Sequence, residues 1–182
     1  SRTIKALLRQ AGFQVGRYKI RSVMRKLGLM CQQRQTFKVT TKHNEKHQVQ
    51  PNLLNQNFQP LFANEVWAGD ITYIKTSQGW RYLAVVMDLF SRRIVGWSMA
   101  ERMKADLVIQ ALQQAHVLRQ PQYGCVFHSD RGSQYTSRAF AKKARQLKMR
   151  LSMSDVGCCY DNAVVERFFG SLKHEGLGHT AT

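Results

Sequence analysis

Val66-Trp67-Ala68-Gly69-Asp70-Ile71-Thr72-Tyr73-Ile74-Lys75, the turn Ser77-Gln78-Gly79, and then Trp80-Arg81-Tyr82-Leu83-Ala84-Val85-Val86-Met87-Asp88 decide the fold. Both runs are rich in β-branched and aromatic residues, and the residues between them are turn formers. The second run is apolar through its middle, as a strand covered on both faces must be. Ser91-Arg92-Arg93 makes another turn, and Ile94–Ala100 is a third strand. Three strands joined by short turns predict an antiparallel meander.

Downstream, Ala105–Leu118 reads as a helix, with Leu107, Val108, Ala111, Leu112 and Ala115 on one apolar stripe. A short strand at Cys125–Ser129, a basic helix at Ser137–Leu147, a strand at Met149–Met153 and a last helix at Tyr160–His174 complete the order. This β-β-β-α-β-α-β-α succession predicts an α/β fold, a mixed five-stranded sheet flanked by helices, over residues 62–182. Asp106 and Asp161 read as helix starters, Asp88 as the end of a strand, and Asp155 as loop surface.

Upstream, residues 1–30 predict two short helices. Ile4, Leu7 and Leu8 share a face that ends at Gly12, while Ile20, Val23, Met24 and Leu27 form a second stripe that ends at Gly28. A short helix, a Gly-containing turn and a basic helix fit a partial helix-turn-helix, although a plain helical hairpin has the same pattern. Residues 31–61 lose periodicity and read as a basic polar linker. His43-x-x-x-His47 inside it invites a zinc reading, but no C-x-x-C follows and structural zinc takes four ligands. Two solvated histidines account for the pair better.

The net charge is +17, and residues 1–50 carry 12 Lys/Arg against Glu45 alone. A single-sign block of this kind marks a polyanionic partner, nucleic acid before an anionic membrane surface. No apolar run reaches the ~18 residues of a membrane span, and the start has no signal-peptide core. Cys31, Cys125, Cys158 and Cys159 form no C-x-x-C, which favours reduced thiols in a cytosolic setting. No Gly-x-Ser-x-Gly elbow is present, and neither His43 nor His128 has an evident cysteine partner.

Three acids stand out. Asp70 sits alone in an apolar strand, where an unpaired carboxylate is costly to bury. Asp130 lies in Phe127-His128-Ser129-Asp130-Arg131-Gly132-Ser133-Gln134-Tyr135, at the carboxyl end of the fourth strand. Glu166 follows Asp130 after 35 intervening residues, in Asp161-Asn162-Ala163-Val164-Val165-Glu166-Arg167-Phe168-Phe169. At ~100° per residue, Asn162, Glu166, Gly170 and Lys173 share one helical face, beside a stripe of Val165, Phe168 and Leu172. Separated acids that converge on one point are what a divalent-metal phosphoryl-transfer site requires.

These residues resemble the catalytic domain of DDE transposases of the retroviral-integrase superfamily, in particular the orfB-type transposases of bacterial insertion sequences. The likeness rests on Val66–Ile74, Tyr82–Trp97, His128–Tyr135 and Ser152–Glu175. It implies an RNase H-like fold with Asp70, Asp130 and Glu166 as catalytic metal ligands for Mg²⁺ or Mn²⁺, in two ions. The implied reaction hydrolyses a phosphodiester at an element end. The freed 3′-hydroxyl then attacks a second phosphodiester, with no covalent protein–DNA intermediate.

Lys173 falls where this family places a basic residue that contacts element DNA. Asn162, Arg131 and the second helix's Arg17, Lys19, Arg21, Arg25 and Lys26 are the other candidate DNA contacts. The implied partners are double-stranded DNA (element ends and target), further copies of the chain on that DNA, and a helix-turn-helix product of an upstream frame. The implied setting is the bacterial cytoplasm, at the nucleoid.

Family members continue past the Glu166 helix with a further basic helical segment, and small or polar residues are usual at Cys158-Cys159. Complete transposition by this chain alone is therefore not implied. An inactive DNA-binding remnant and an RNase H-type nuclease are the alternatives. Nucleases of that type usually carry more acids at other spacings.

Overall fold

The computed structural model describes residues 2–29, 49–55, 57–155 and 163–176. The chain divides into two compact units, Ser1–Thr40 and Thr41–Thr182. In the first, α1 (Arg2–Gln10) and α2 (Arg17–Lys26) lie on either side of a short turn. Both helices end as their glycines predict. Gly12 and Gly28 take positive φ values of 85° and 67°. The amides of Phe13 and Leu29 reach back to the carbonyls of Leu8 and Met24. Of the predicted α2 stripe, Ile20 is buried and Met24 half-buried, while Val23 and Leu27 are exposed.

The second unit is built on β1 (Val66–Thr76), β2 (Gly79–Asp88), β3 (Ile94–Ala100), β4 (Val126–Ser129) and β5 (Arg150–Met153), in the order β3-β2-β1-β4-β5. β1, β2 and β3 form the predicted antiparallel meander, and β4 and β5 join in parallel. The crossovers that make those parallel pairings possible are α3 (Ala105–Arg119) and α4 (Arg138–Gln146).

One sheet face packs on α3 and α4. Leu107, Val108, Ala111, Leu112 and Ala115 are all buried there, with Trp67, Ala84, Val86 and Val95. Phe127, Tyr135 and Phe140 form an aromatic cluster with centroids 5.2–5.9 Å apart. α3 approaches β3 so closely that a Cβ on Gly96 would lie 2.3 Å from the Ala111 carbonyl oxygen. α4 is capped by Ser137, whose hydroxyl accepts from the Phe140 amide.

α5 (Ala163–Ser171) contributes Val165 and Phe169 to the core on the opposite face, with Val66, Ala68, Ile74, Leu83 and Val85. Leu54 and Phe58 belong to that core too. This corrects the reading of residues 31–61 as linker, because the last part of that stretch is bound to the sheet. Leu53 N–H donates to Ser152 Oγ at 2.9 Å, and the Met153 amide donates to the Pro51 carbonyl. The boundary between the two units, with Cys31, His43 and His47, lies outside the described residues.

Three expectations change in detail. The last helix does not run as one α-helix to His174; it ends at Ser171 and continues as a π-helical turn, Leu172–Gly176. Phe169, rather than Phe168, is its buried aromatic. Lys104, without a side-chain bond, is the N-cap of α3, and Asp106 sits in the first turn, where a negative charge faces the helix dipole favourably. Asp88 does end β2, and it is also fully buried. Its carboxylate accepts from the amides of Asn64 and Ser91 and from the Ser91 hydroxyl, with Arg119 3.9 Å away. Among the described residues, no helix is long and apolar enough to cross a membrane.

Candidate active site

β1 is the central strand, but its pairing with β4 runs only from Val66 to Ala68. Asp70 stands just past the point where β4 turns away, and Asp130 directly follows the end of β4. Alternation along β1 puts Asp70 on the same face as Ala68 and Ile74, the face covered by Val165 and Phe169 of α5. The topology therefore draws together a strand centre, a strand end and a helix.

The two aspartates are held by local backbone. Asp70 Oδ1 accepts from the Ile71 amide at 2.7 Å, and Asp130 Oδ1 from the Gly132 amide at 3.0 Å. A Cβ on Gly132 would sit 2.9 Å from Asp130 Oδ1, so a side chain there would push the carboxylate out of place. Burial pushes the Asp70 carboxyl up from 3.8 to about 8, with further lifts from Asp130 and Glu166, against lowering by the Ile71 N–H bond and Lys173. Asp130 is raised as well, by burial, with the Gly132 bond opposing. From the other face, the buried Tyr135 phenol is pushed well above its ordinary range by burial and then by Asp70 and Asp130.

Glu166 acts on Asp70 through its charge, but its side chain is exposed. Among the described residues, no three His, Cys, Asp or Glu side chains meet closely enough to hold a metal ion. The physical reason lies in the helix: the buried Val165 fixes its inward face, and Glu166 is turned ~100° away from it. The structure thus brings Asp70 and Asp130 together and leaves Glu166 at the rim.

Lys173 reaches this region from the π-helical turn. Its ammonium lies 4.3 Å from the centroid of the Tyr73 ring, and burial lowers its pKa while Asp70 raises it. Arg131, expected to contact DNA, is already engaged. Its Nε donates to the Ser154 carbonyl at 2.8 Å, and its guanidinium pairs with Asp155 at 3.1 Å. Asp155 also accepts from Asn52, so this latch joins the Asp130 loop, β5 and the segment before β1. Asn162 lies outside the described residues.

In α2, Arg17, Lys19, Arg21, Arg25 and Lys26 are all exposed. Arg2, Lys5 and Arg9 of α1 join Arg17 around an open cleft of about 750 Å³, a set that the charge pattern of α2 alone does not reveal. Their spacing is the available signal, for residues three and four apart share a helix face. The buried Cys125 thiol is pushed up to about 12 by burial and Asp88, which makes it a poor nucleophile.

Residues 62–159 match the integrase core domain family, and residues 1–37 match an HTH-like domain. The chain belongs to the integrase core domain family. It is 41% identical over 179 residues to an uncharacterized 31 kDa protein of insertion element IS600 from Shigella sonnei, covering 98% of this chain and 66% of that one. It is 43% identical over 168 residues to the transposase InsF for insertion sequence IS3A of Escherichia coli (strain K12), covering 92% and 58%.

Among solved structures, the simian T-cell lymphotropic virus intasome superposes with a TM-score of 0.59 at 25% identity, over 71% of this chain and 45% of that one. The HTLV-2 integrase catalytic core domain in complex with magnesium gives 0.52 at 25%, over 62% and 70%. The fold is thus that of the integrase catalytic cores, as the RNase H-like expectation required. The chain spans 66% and 58% of the two curated relatives.

Proposed function

We propose that this chain cleaves DNA strands at insertion-sequence ends and transfers them to target DNA, using Asp70, Asp130 and Glu166 as an acidic triad. The observation that carries this reading is the meeting of Asp70 and Asp130 at the centre of an integrase-core sheet, where ionisation of Asp70 is resisted. Oxygen donors that are hard to ionise without a neighbouring cation fit a hard divalent ion. Asp70 and Asp130 would hold Mg²⁺ or Mn²⁺, as two ions, and Glu166 would complete the set by reaching in from the rim with its longer side chain. Bound there, the metal would stabilise charge on the phosphoryl oxygens.

The chain's own residues would do the rest. Gly132 and Ile71 aim the two aspartates through their amides. Lys173 would face a DNA phosphate, and Asn162 would be a further DNA contact. Arg131 would act as a positioning residue through Ser154 and Asp155. Arg17, Lys19, Arg21, Arg25 and Lys26 would neutralise duplex phosphates and release counterions. Further copies of the chain would assemble on the DNA, with a helix-turn-helix partner from an upstream frame, in the bacterial cytoplasm.

End-labelled linear DNA incubated with the chain and Mg²⁺ or Mn²⁺ tests the proposal. The expected products are a nicked strand and its joint to a second duplex. Asp130→Ala is expected to remove both while DNA affinity persists. Asp130→Ala that still cleaves at the wild-type rate would sink the reading.

A further inference from the structure

Beyond Ala68, β1 is paired on its β2 side alone among the described residues, so the stretch that follows Asp70 forms an open edge. This edge carries aromatic surface that the core does not use. Tyr73 is 49% exposed and Trp80 56% exposed, although both lie in the centre-forming hairpin. Their rings meet near-perpendicularly, with centroids 5.3 Å apart and an interplanar angle of 75°. An edge-to-face pair covers at most one face of the indole, which leaves the other open to solvent.

The surrounding charge is cationic. Lys173 caps the Tyr73 ring at 4.3 Å, and the exposed Lys75 is the direct cross-strand partner of Trp80. The neighbouring Arg81 is occupied by Glu101 at 3.0 Å. An open π-face beside two cations is the combination that holds single-stranded nucleic acid, where bases stack and phosphates are neutralised. Tyr73 lies three residues from Asp70, about 10 Å along an extended strand, and this odd spacing turns its ring to the other face of the sheet. That reach is about three steps of a stacked DNA strand at ~3.4 Å each, and fewer once the strand is unstacked. Lys173, which caps the Tyr73 ring and also acts on the charge of Asp70, links the two faces round the open edge.

We infer that Tyr73 and Trp80, with Lys173 and Lys75, form a stacking platform for an unpaired DNA base beside the phosphodiester addressed by Asp70. The platform rests on the reading of Asp70 and Asp130 as a DNA-processing site. A paired base presents its faces to its neighbours in the duplex and cannot use the indole, so the platform favours a frayed or forked end. It would hold the strand open where the acids must reach its backbone.

A forked duplex with 2-aminopurine in its unpaired arm provides the test, with the full chain in EDTA so that no strand is cut. Stacking quenches the probe. Trp80→Ala is expected to abolish the quench and to weaken fork binding by roughly 5- to 150-fold, the range for one stacked base. Binding to the same duplex fully paired should change by less than about twofold, a surface-scale effect. Trp80→Phe is expected to restore most of the fork preference.

Equal losses on fork and duplex, or no loss on either, would overturn the platform and make the pair a hairpin staple. Parallel cleavage assays in Mn²⁺ separate the two readings. A wild-type chain that quenches the probe but never cleaves DNA would keep the platform and defeat the transposase reading. One that cleaves without quenching would do the reverse.

Discussion

The two halves of β1 make the most instructive comparison in this molecule. From Val66 to Gly69 every residue is buried, with β2 on one side, β4 meeting Val66 to Ala68 on the other, and α3, α4 and α5 above and below. From Ile71 to Thr76 the strand has β2 alone beside it, and burial alternates, with Ile74 inside and Tyr73 and Lys75 outside. Asp70 is the junction. The closed half gives it walls that make its charge costly, and the open half gives a substrate a way in. A carboxylate in the closed half would be inaccessible, while one further along the open half would be a solvated surface charge with an ordinary pKa.

The largest expected effect tests the cost of that junction. Folded Asp70 keeps its proton up to about pH 8, whereas an unfolded aspartate releases it near 3.8. Between those values the folded chain binds the extra proton, so stability falls as pH rises through the window. At ~1.4 kcal/mol per pKa unit, the contribution amounts to several kcal/mol. Urea midpoints in EDTA from pH 5 to 8.5 should therefore decline more steeply for wild type than for Asp70→Asn. Mg²⁺ at pH 8 should recover the difference in wild type only. Parallel curves for the two proteins would mean that the closed half imposes no such cost.

A smaller effect is expected from the loop that aims the second acid. Gly132→Ala would put a Cβ 2.9 Å from Asp130 Oδ1 and displace the carboxylate from its amide. Misplacement by about an ångström can cost on the order of 10²-fold in rate. Metal-dependent DNA cleavage should fall by about that factor, with a thermal midpoint close to wild type. Unchanged cleavage would show that the Gly132 amide does not position Asp130.

Much of this junction is legible in the amino-acid sequence. An isolated acid in an apolar strand, a glycine after each N-terminal helix, and the stripe from Leu107 to Ala115 each carry a local physical signature, and each takes the expected place. What stays hidden depends on partners far along the chain. Arg131 reads as a free cation because Ser154 and Asp155, which occupy it, lie 23 and 24 residues later. The stretch from Pro51 to Phe58 reads as linker because its anchors, Ser152 and Met153, are supplied by the last strand rather than by its own periodicity. Phe168 and Phe169 are adjacent and equally apolar, so ~100° of helix rotation separates the two choices. The π-helical turn after Ser171 is a backbone event with no side-chain repeat to announce it.

The smallest effect compares packing in the two halves directly. Gly69 is the last residue of the closed half, and a Cβ there would lie 2.3 Å from the tip of the Phe127 ring. Phe127 has little freedom to retreat, because Tyr135 and Phe140 press on it with centroids 5.9 and 5.2 Å away. Gly69→Ala should therefore destabilise by the ~1–3 kcal/mol of an overpacked core. That corresponds to a thermal midpoint lower by about 2–4 °C per kcal/mol in a chain of this size. Lys75→Ala, exposed in the open half, should stay within about 0.5 kcal/mol of wild type. Since Tyr135 stands behind both aspartates, a ring displaced by Gly69→Ala should also lower cleavage, whereas a purely local clash would leave it untouched. If Gly69→Ala melts with wild type, the Phe127 cluster yields easily, and the contrast between the halves is one of strand pairing alone.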